Sequence, residues 1–292
     1  MNLTHVRAYL AVLDTGGFRP AATRLGVSQG AISQHIHRLE NELGTTLIQR
    51  GHRDCRPAPG TEVFARYART LAELADRAER ALTDPVLVLG AASNIGTYLL
   101  QPVIKTIGDT HAGRYRIRQR LGPNAEIIDG LATGALDVAI TEWWDQRPGF
   151  EATMWREEEL VVIVGPGHPW WERGTVTVDE LADETILGGE PTSGTGTLLE
   201  SVLGEAAARL PTTVNLGSTA AVKEAVHAGL GVSLILASAA ETDVQHGRLH
   251  GLRLADAPLR KPLWVTHRRG LGPRDPAALF TDALLGTAGD AT

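Results

Sequence analysis

Val27–Gly44 reads V-S-Q-G-A-I-S-Q-H-I-H-R-L-E-N-E-L-G. Its apolar residues Ile32, Ile36, Leu39 and Leu43 recur at helical spacing, while Ser28, Gln29, Ser33, Gln34 and His37 fall on other faces. Such a helix packs on one side and offers hydrogen-bonding groups on the other. A shorter helical pattern, Arg19 to Leu25, precedes it across Gly26-Val27-Ser28, with Ser28 placed to cap the second helix. Two helices joined by so short a turn outline a helix-turn-helix, whose second helix enters the DNA major groove and reads bases near its N-terminus.

Working outward, Leu3, Val6, Leu10 and Leu13 give an earlier helix with one buried face, closed by Gly16-Gly17-Phe18. After Gly44, Thr46 to Gln49 and the arginines Arg50, Arg53 and Arg56 surround Gly51, His52 and Asp54. This pattern predicts two short strands about a basic tip, a wing able to reach phosphates or the minor groove. The candidate DNA-contacting residues are therefore Ser28, Gln29, Ser33, Gln34, His37, Arg38, Arg50 and Arg53. Gln29 and Ser33, one turn apart, suit base edges; Arg38 suits a phosphate.

The run A-A-x-R-L-G-V-S-Q-x-A-I-S-x-x-I-x-x-L-E-x-x-L-G, from Ala21 to Gly44, with the basic wing and the helix after it, resembles LysR-type transcriptional regulators. The resemblance spans essentially the whole chain. It implies an α/β multidomain protein: an N-terminal winged helix-turn-helix, a linker helix that dimerises in antiparallel fashion, and a C-terminal two-lobed, periplasmic-binding-protein-like effector domain. It also implies promoter DNA, a small effector and self-association as dimer or tetramer, and it admits contact with RNA polymerase. One departure is local: Arg56-Pro57-Ala58-Pro59-Gly60 replaces the usual Leu-Thr-x-Ala-Gly exit from the wing.

The 292 residues, 43% of them hydrophobic, are enough for two or three folded units. The longest apolar runs are too short to cross a bilayer and no signal segment opens the chain, so a cytoplasmic protein is expected. The single cysteine, Cys55, excludes an internal disulfide and a thiolate metal cluster. The net charge of −6 hides its distribution: residues 1–60 carry seven Arg against four acids, so positive charge gathers at the N-terminus. That balance is modest, and useful affinity calls for two or more heads on one duplex.

Glu62 to Leu82 lacks Gly and Pro and places Val63, Tyr67, Leu71, Leu74, Ala78 and Leu82 along one helical seam, a narrow stripe suited to a partner helix. Thr83-Asp84-Pro85 ends it. The expected domains are residues 1–60, a linker at 61–85, and an effector domain at 86–292, with lobe one at 86–160 and 268–292 and lobe two at 161–267. After Pro85 the order βαβαβ predicts a parallel sheet flanked by helices, and a comparable series starts near Thr185. Leu160–Val164 and Leu263–His267 are the candidate crossing strands.

Ligands of open parallel sheets bind beyond the strands' C-terminal ends. Three helix openings fit: Gly90 to Thr97, Glu190 to Thr197, and Gly217 to Thr219. Their hydroxyls and N–H groups suit an anion, although helix capping by Ser93, Ser193 or Ser218 accounts for each one alone. Glu142, before Trp143-Trp144, falls at a strand end, either facing the cleft or solvated. The aromatic pair either covers a ligand or packs under a loop; Trp170 and Trp171 belong to packing or a subunit contact. The candidate effector residues are Ser93, Asn94, Thr97, Glu142, Ser193, Gly194, Thr195 and Ser218. The segments at Ser193–Thr195 and after Ser218 resemble the family's effector-contact positions. The first-lobe opening G-A-A-S-N-I-G-T is most similar to the branch containing CbbR and CysL regulators, with Asn94 where Thr is more familiar.

No catalytic elbow, P-loop or paired histidine spacing occurs, so an enzyme and a resident cofactor or metal are not expected. An architectural DNA binder without effector remains the alternative, and it leaves two α/β lobes without use.

Overall fold

A computed structural model describes residues 1–51, 54–80, 83, 85–110, 115–190 and 193–287. The expectations that fall on His52, Arg53, Leu82, Asp84, Arg114, Pro191 and Thr192 lie outside the described residues. The chain divides into two compact units, one from Met1–Asp84 and Thr133–Ala135 and the other from Pro85–Ala132 and Leu136–Thr292.

The first unit runs α1 (Leu3–Thr15), α2 (Phe18–Leu25), α3 (Gln29–Leu43), β1 (Ile48–Arg50), β2 (Cys55–Pro57) and α4 (Glu62–Arg80). Val6, Tyr9, Leu10 and Val12 of α1 close on Ile32, Ile36 and Leu39 of α3, with Ala65 and Ala68 of α4 in the same core. Leu43 lies in the last turn of α3 and is exposed, so the buried face of that helix ends at Leu39. Gly26 takes φ 67°, the left-handed conformation that lets its N–H bond back to Ala22 and Thr23 and reverses the chain within three residues. Ser28 Oγ then accepts the N–H of Ala31 at 3.1 Å and starts α3.

The wing forms as expected, with Ile48 opposite Pro57 and Arg50 opposite Cys55. Pro57 removes one donor, and the N–H of Ala58 restores the pairing by donating to Leu47 O at 2.9 Å. Thr61 Oγ1 donates to Ala58 O at 2.7 Å, so the proline-rich exit is tied down on both sides.

The second unit opens with β3 (Val86–Ala92), α5 (Ser93–Tyr98), α6 (Leu100–Thr110), β4 (Arg116–Gly122), α7 (Asn124–Ala132), β5 (Val138–Thr141) and β6 (Phe150–Val164). It continues through β7 (Thr175–Val176), α8 (Val178–Ala182), β8 (Leu187–Gly188), α9 (Thr195–Leu203), a 3-10 turn at Gly204–Arg209, β9 (Val214–Asn215) and α10 (Thr219–His227). It ends with β10 (Ser233–Leu236), α11 (Ala237–Gln245), β11 (His250–Leu254), β12 (Arg260–Arg268) and α12 (Pro276–Gly286).

Strand β3 is buried on both faces, which explains its unbroken apolar run. Leu87, Leu89 and Ala91 enter the core with α6 and α12, whereas Val88 joins the α7 side with Ile127 and Leu131. A Cβ on Gly90 would come within 2.3 Å of Leu136 Cδ1, so glycine there permits the close approach of the α7 layer.

The two lobes share one plan. In lobe one β4 and β5 flank β3 in parallel, and β5 pairs antiparallel with β12. In lobe two β9 pairs parallel with β8, Ile186 bridges in parallel to Val232, and β10 pairs antiparallel with β6. The crossing strands are longer than the periodicity implied. Phe150–Glu159 of β6 pairs with β12 in lobe one, while Leu160–Ile163 pairs with β10 in lobe two. Leu160 N–H donates to Leu259 O at 2.8 Å where both strands pass between lobes. Leu263–His267, expected inside lobe two, is therefore a strand of lobe one, because Trp264–His267 lies against β5. No helix among the described residues is long and apolar enough to cross a membrane.

Candidate nucleic-acid interface and ligand site

On α3 the residues Gln29, Ser33, Gln34, His37 and Arg38 are all exposed, opposite the buried Ile32–Ile36–Leu39 stripe. Ser28 is exposed as well, but one lone pair of its oxygen is engaged as the helix cap, which leaves its O–H and a second lone pair for an outside partner. His37 Nε2 lies 3.2 Å from Asn41 Nδ2, one turn along. Arg50 sits in β1, and Arg53 lies outside the described residues. Glu40 was not singled out from the sequence. Its Oε1 accepts the N–H of Leu47 at 2.8 Å and of Ile48 at 3.4 Å, pinning the wing to α3. Burial foremost, then the neighbouring His35 and Arg38, lowers the pKa of His5 behind the same helix.

The second site lies where the parallel strands of both lobes end. Ser93 and Asn94 follow β3, Glu142 follows β5, and Glu190, Ser193, Gly194 and Thr195 come after β8. Ser93 opens α5 without capping it; its hydroxyl donates to Glu190 Oε1 at 2.5 Å, across the cleft. Asn94 donates to Glu142 Oε1 at 3.2 Å and accepts from Thr219 Oγ1 at 2.7 Å. Glu142 is buried, its backbone N–H held by Asn124 Oδ1 at 2.7 Å.

The centre is Lys261 at the start of β12. Its ammonium donates to Glu142 Oε2 at 2.6 Å, Ser193 O at 2.8 Å and Thr195 Oγ1 at 3.1 Å. Both side chains of the Lys261–Glu142 pair are 3% exposed. Lobe one thus holds lobe two through three polar ties: Ser93 to Glu190, Asn94 to Thr219, and Lys261 to Ser193 and Thr195.

A cavity of about 240 Å³ opens on this network, lined by Asn94, Glu190, Ser193, Thr195, Thr219 and Lys261 among others. On the other side of Lys261 a cavity of about 500 Å³ is lined by Trp143, Trp144, Trp264, Pro262 and Leu198. The aromatic pair divides its work: Trp144 packs edge-on against Phe150 at 5.7 Å, and Trp143 lies against Gly194. Gly194 has φ 73°, and a Cβ there would sit 2.7 Å from Trp143 Cδ1, so this glycine makes room for the ring. As N-cap of α9 it also caps nothing.

The sequence-selected residues therefore separate. Ser93, Asn94, Glu142, Ser193 and Thr195 come together. Ser218 caps α10 by accepting the N–H of Ala221 at 3.2 Å, and its neighbour Thr219 enters the cavity in its place. Thr97 is exposed and lines neither cavity. Trp170 and Trp171 pack with lobe two's core. Lys261 and Asn124 had no motif to announce them, Glu190 was read only as the first residue of a helix opening, and only a lysine opening an otherwise apolar strand hinted at Lys261.

Two family models match: "Bacterial regulatory helix-turn-helix protein, lysR family" over residues 3–62 and "LysR substrate binding domain" over residues 80–289. A putative HTH-type transcriptional regulator protein, PtxE of Stutzerimonas stutzeri, is 41% identical over 195 residues, covering 67% of this chain and 100% of that one. The RuBisCO operon transcriptional regulator of Allochromatium vinosum is 26% identical across 99% of this chain and 97% of its own, in line with the branch suggested by the first-lobe opening. The solved structure of CbnR, a LysR family transcriptional regulator, superposes with TM-score 0.74 at 20% identity over 99% of each chain, which shows the same fold. The chain belongs to the LysR family of transcriptional regulators.

Proposed function

We propose that this regulator, acting in the cytoplasm, reads promoter DNA with Gln29 and Ser33 at base edges, Arg38 at a phosphate and Arg50 and Arg53 on the wing, and answers to a small anionic metabolite in the cleft. RNA polymerase would be met at the same promoter. The observation that carries the effector reading is Lys261, buried at the strand ends with Ser193 and Thr195. Ser93 supports it, since its hydroxyl already donates to a carboxylate. An anion anchored on both lobes would favour one lobe arrangement, and only that differential affinity shifts the DNA-bound geometry.

A binding-site selection on the whole chain tests the head: Gln29→Ala should relax preference at one position per half-site, by about 1–3 kcal/mol of discrimination. An unchanged motif and affinity would remove Gln29 from base reading. For the cleft, thermal-shift screening of phosphorylated sugars, organic acids and sulfur anions should yield a ligand that changes the operator footprint. Thr195→Val should weaken it by roughly ten- to a hundredfold, the loss of one charge-assisted hydrogen bond. A footprint insensitive to every stabilising ligand would instead favour the architectural reading.

A further inference from the structure

The acceptors and donors of the 240 Å³ cavity do not balance. Lys261 spends its charge on Glu142, whose other oxygen is taken by Asn94. Glu190 is different. Its Oε1 receives Ser93, its second oxygen accepts no hydrogen bond from a described residue, and no described cation pairs with it. Thr219 gives its O–H to Asn94 Oδ1, while the hydroxyls of Ser193 and Thr195 can turn to donate or accept, but an ionised carboxylate only accepts.

We infer that Glu190 makes the cleft selective for oxyanions that still carry a proton, phosphate groups being the class that fits, and turns away fully deprotonated ones such as sulfate. This rests on the effector-site reading above and narrows it. A ligand O–H facing Glu190 forms a short, charge-assisted hydrogen bond. A bare ligand oxygen in the same place sets lone pairs and negative charge against lone pairs and negative charge, and at the half-buried Glu190 solvent relieves that only in part. The ligand's other oxygens meet the hydroxyls of Ser193 and Thr195 beside the Lys261 ammonium, whose three N–H groups are already engaged. The cavity of about 240 Å³ admits a tetrahedral oxyanion. Inorganic phosphate keeps a proton throughout the range in which proteins fold, whereas sulfate has none.

The test is calorimetry on the full chain in chloride buffer at about pH 5.5, below the second pKa of about 6 at which a phosphate ester gives up its last proton, with inorganic phosphate, glycerol 3-phosphate and sulfate as probes. The better of the two phosphates should bind at least about 100-fold more tightly than sulfate, the scale on which a site with an unpaired, half-buried acceptor rejects the wrong ligand. Which of the two is better tells free phosphate from a phosphate ester. Glu190→Gln supplies an amide that donates as well as accepts, and should bring the ratio to within about tenfold. Ser93→Ala leaves the carboxylate in place and should keep the preference. Sulfate within threefold of both phosphates, or a ratio unmoved by Glu190→Gln in a folded variant, overturns the inference. Binding of none of the three overturns it too, while a hit among organic acids in the thermal-shift screen would leave the effector site itself standing.

Discussion

Lys261 and Glu142 lie almost wholly out of solvent and share a 2.6 Å hydrogen bond where the lobes meet. Desolvating both charges costs about what their attraction returns, so such a pair adds little net stability over apolar residues of the same shape. Removing one member is another matter. Lys261→Met leaves Glu142 buried without its cation and should lower the unfolding free energy of the second unit by about 3–5 kcal/mol. Adding Glu142→Leu should return most of that loss, because no lone buried charge remains. Denaturant unfolding of both variants measures this, and a double variant no more stable than the single would mean that the ammonium holds the lobes through Ser193 and Thr195 instead. Single residues were unevenly legible in the sequence. Glu142 could be placed at a strand end because the βαβ order locates that end, whereas Lys261 depends on which strand its own strand pairs with. Ser218 and Thr219 show the finest limit: capping geometry decides which of two adjacent hydroxyls is used up and which faces the cavity.

Helix α8 shows how much one terminus can be made to depend on a carboxylate. Glu180 completes a capping box with Thr177 and takes both guanidinium nitrogens of Arg173 at 2.8 and 2.9 Å. The Arg173 hydrogen bonds first, then the Thr177 backbone N–H, lower its pKa from 4.5 to about 2. A carboxylate held below its unfolded pKa stabilises the fold above pH 4.5, and that stabilisation drains away as the pH falls from 4.5 toward about 2. The wild type should therefore lose thermal stability more steeply than Glu180→Gln across that window, and parallel profiles would assign the acid sensitivity elsewhere. Elements as a whole were easier to foresee than their pairing. Helix α3 declared itself through periodicity and its serine cap, and the wing through a basic tip between short apolar runs. The Glu40 clamp between them was invisible, since an acid on a helix flank reads as solvated until the wing folds back on it. Leu263–His267 has the alternation of a strand in either lobe, and only the register against β5 assigns it to lobe one.

At the scale of the molecule, helix α4 carries two apolar faces and uses one. Ala65 and Ala68 are buried in the core of the first unit, but Val63 is 55%, Tyr67 49%, Leu71 40% and Leu74 42% exposed along the other side. We propose that this contiguous seam is an interface, since its spacing by three and four residues suits a second helix of the same sequence. Dimerisation through α4 would also resolve the charge balance of the DNA-binding residues, whose modest positive excess gives one head weak affinity. Two tethered heads raise the effective concentration of the second on the same duplex, and affinity gained this way exceeds that of one head by about 10²–10⁴-fold. Leu71→Asp with Leu74→Asp should therefore give a monomer in sedimentation velocity at concentrations where the wild type is a dimer. It should also lose full-operator binding by a factor in that range while binding an isolated half-site as the wild type does. A variant that stays dimeric would move the self-association surface off α4, and one that loses half-site binding as well would show that the seam supports the fold of the head instead of joining two of them.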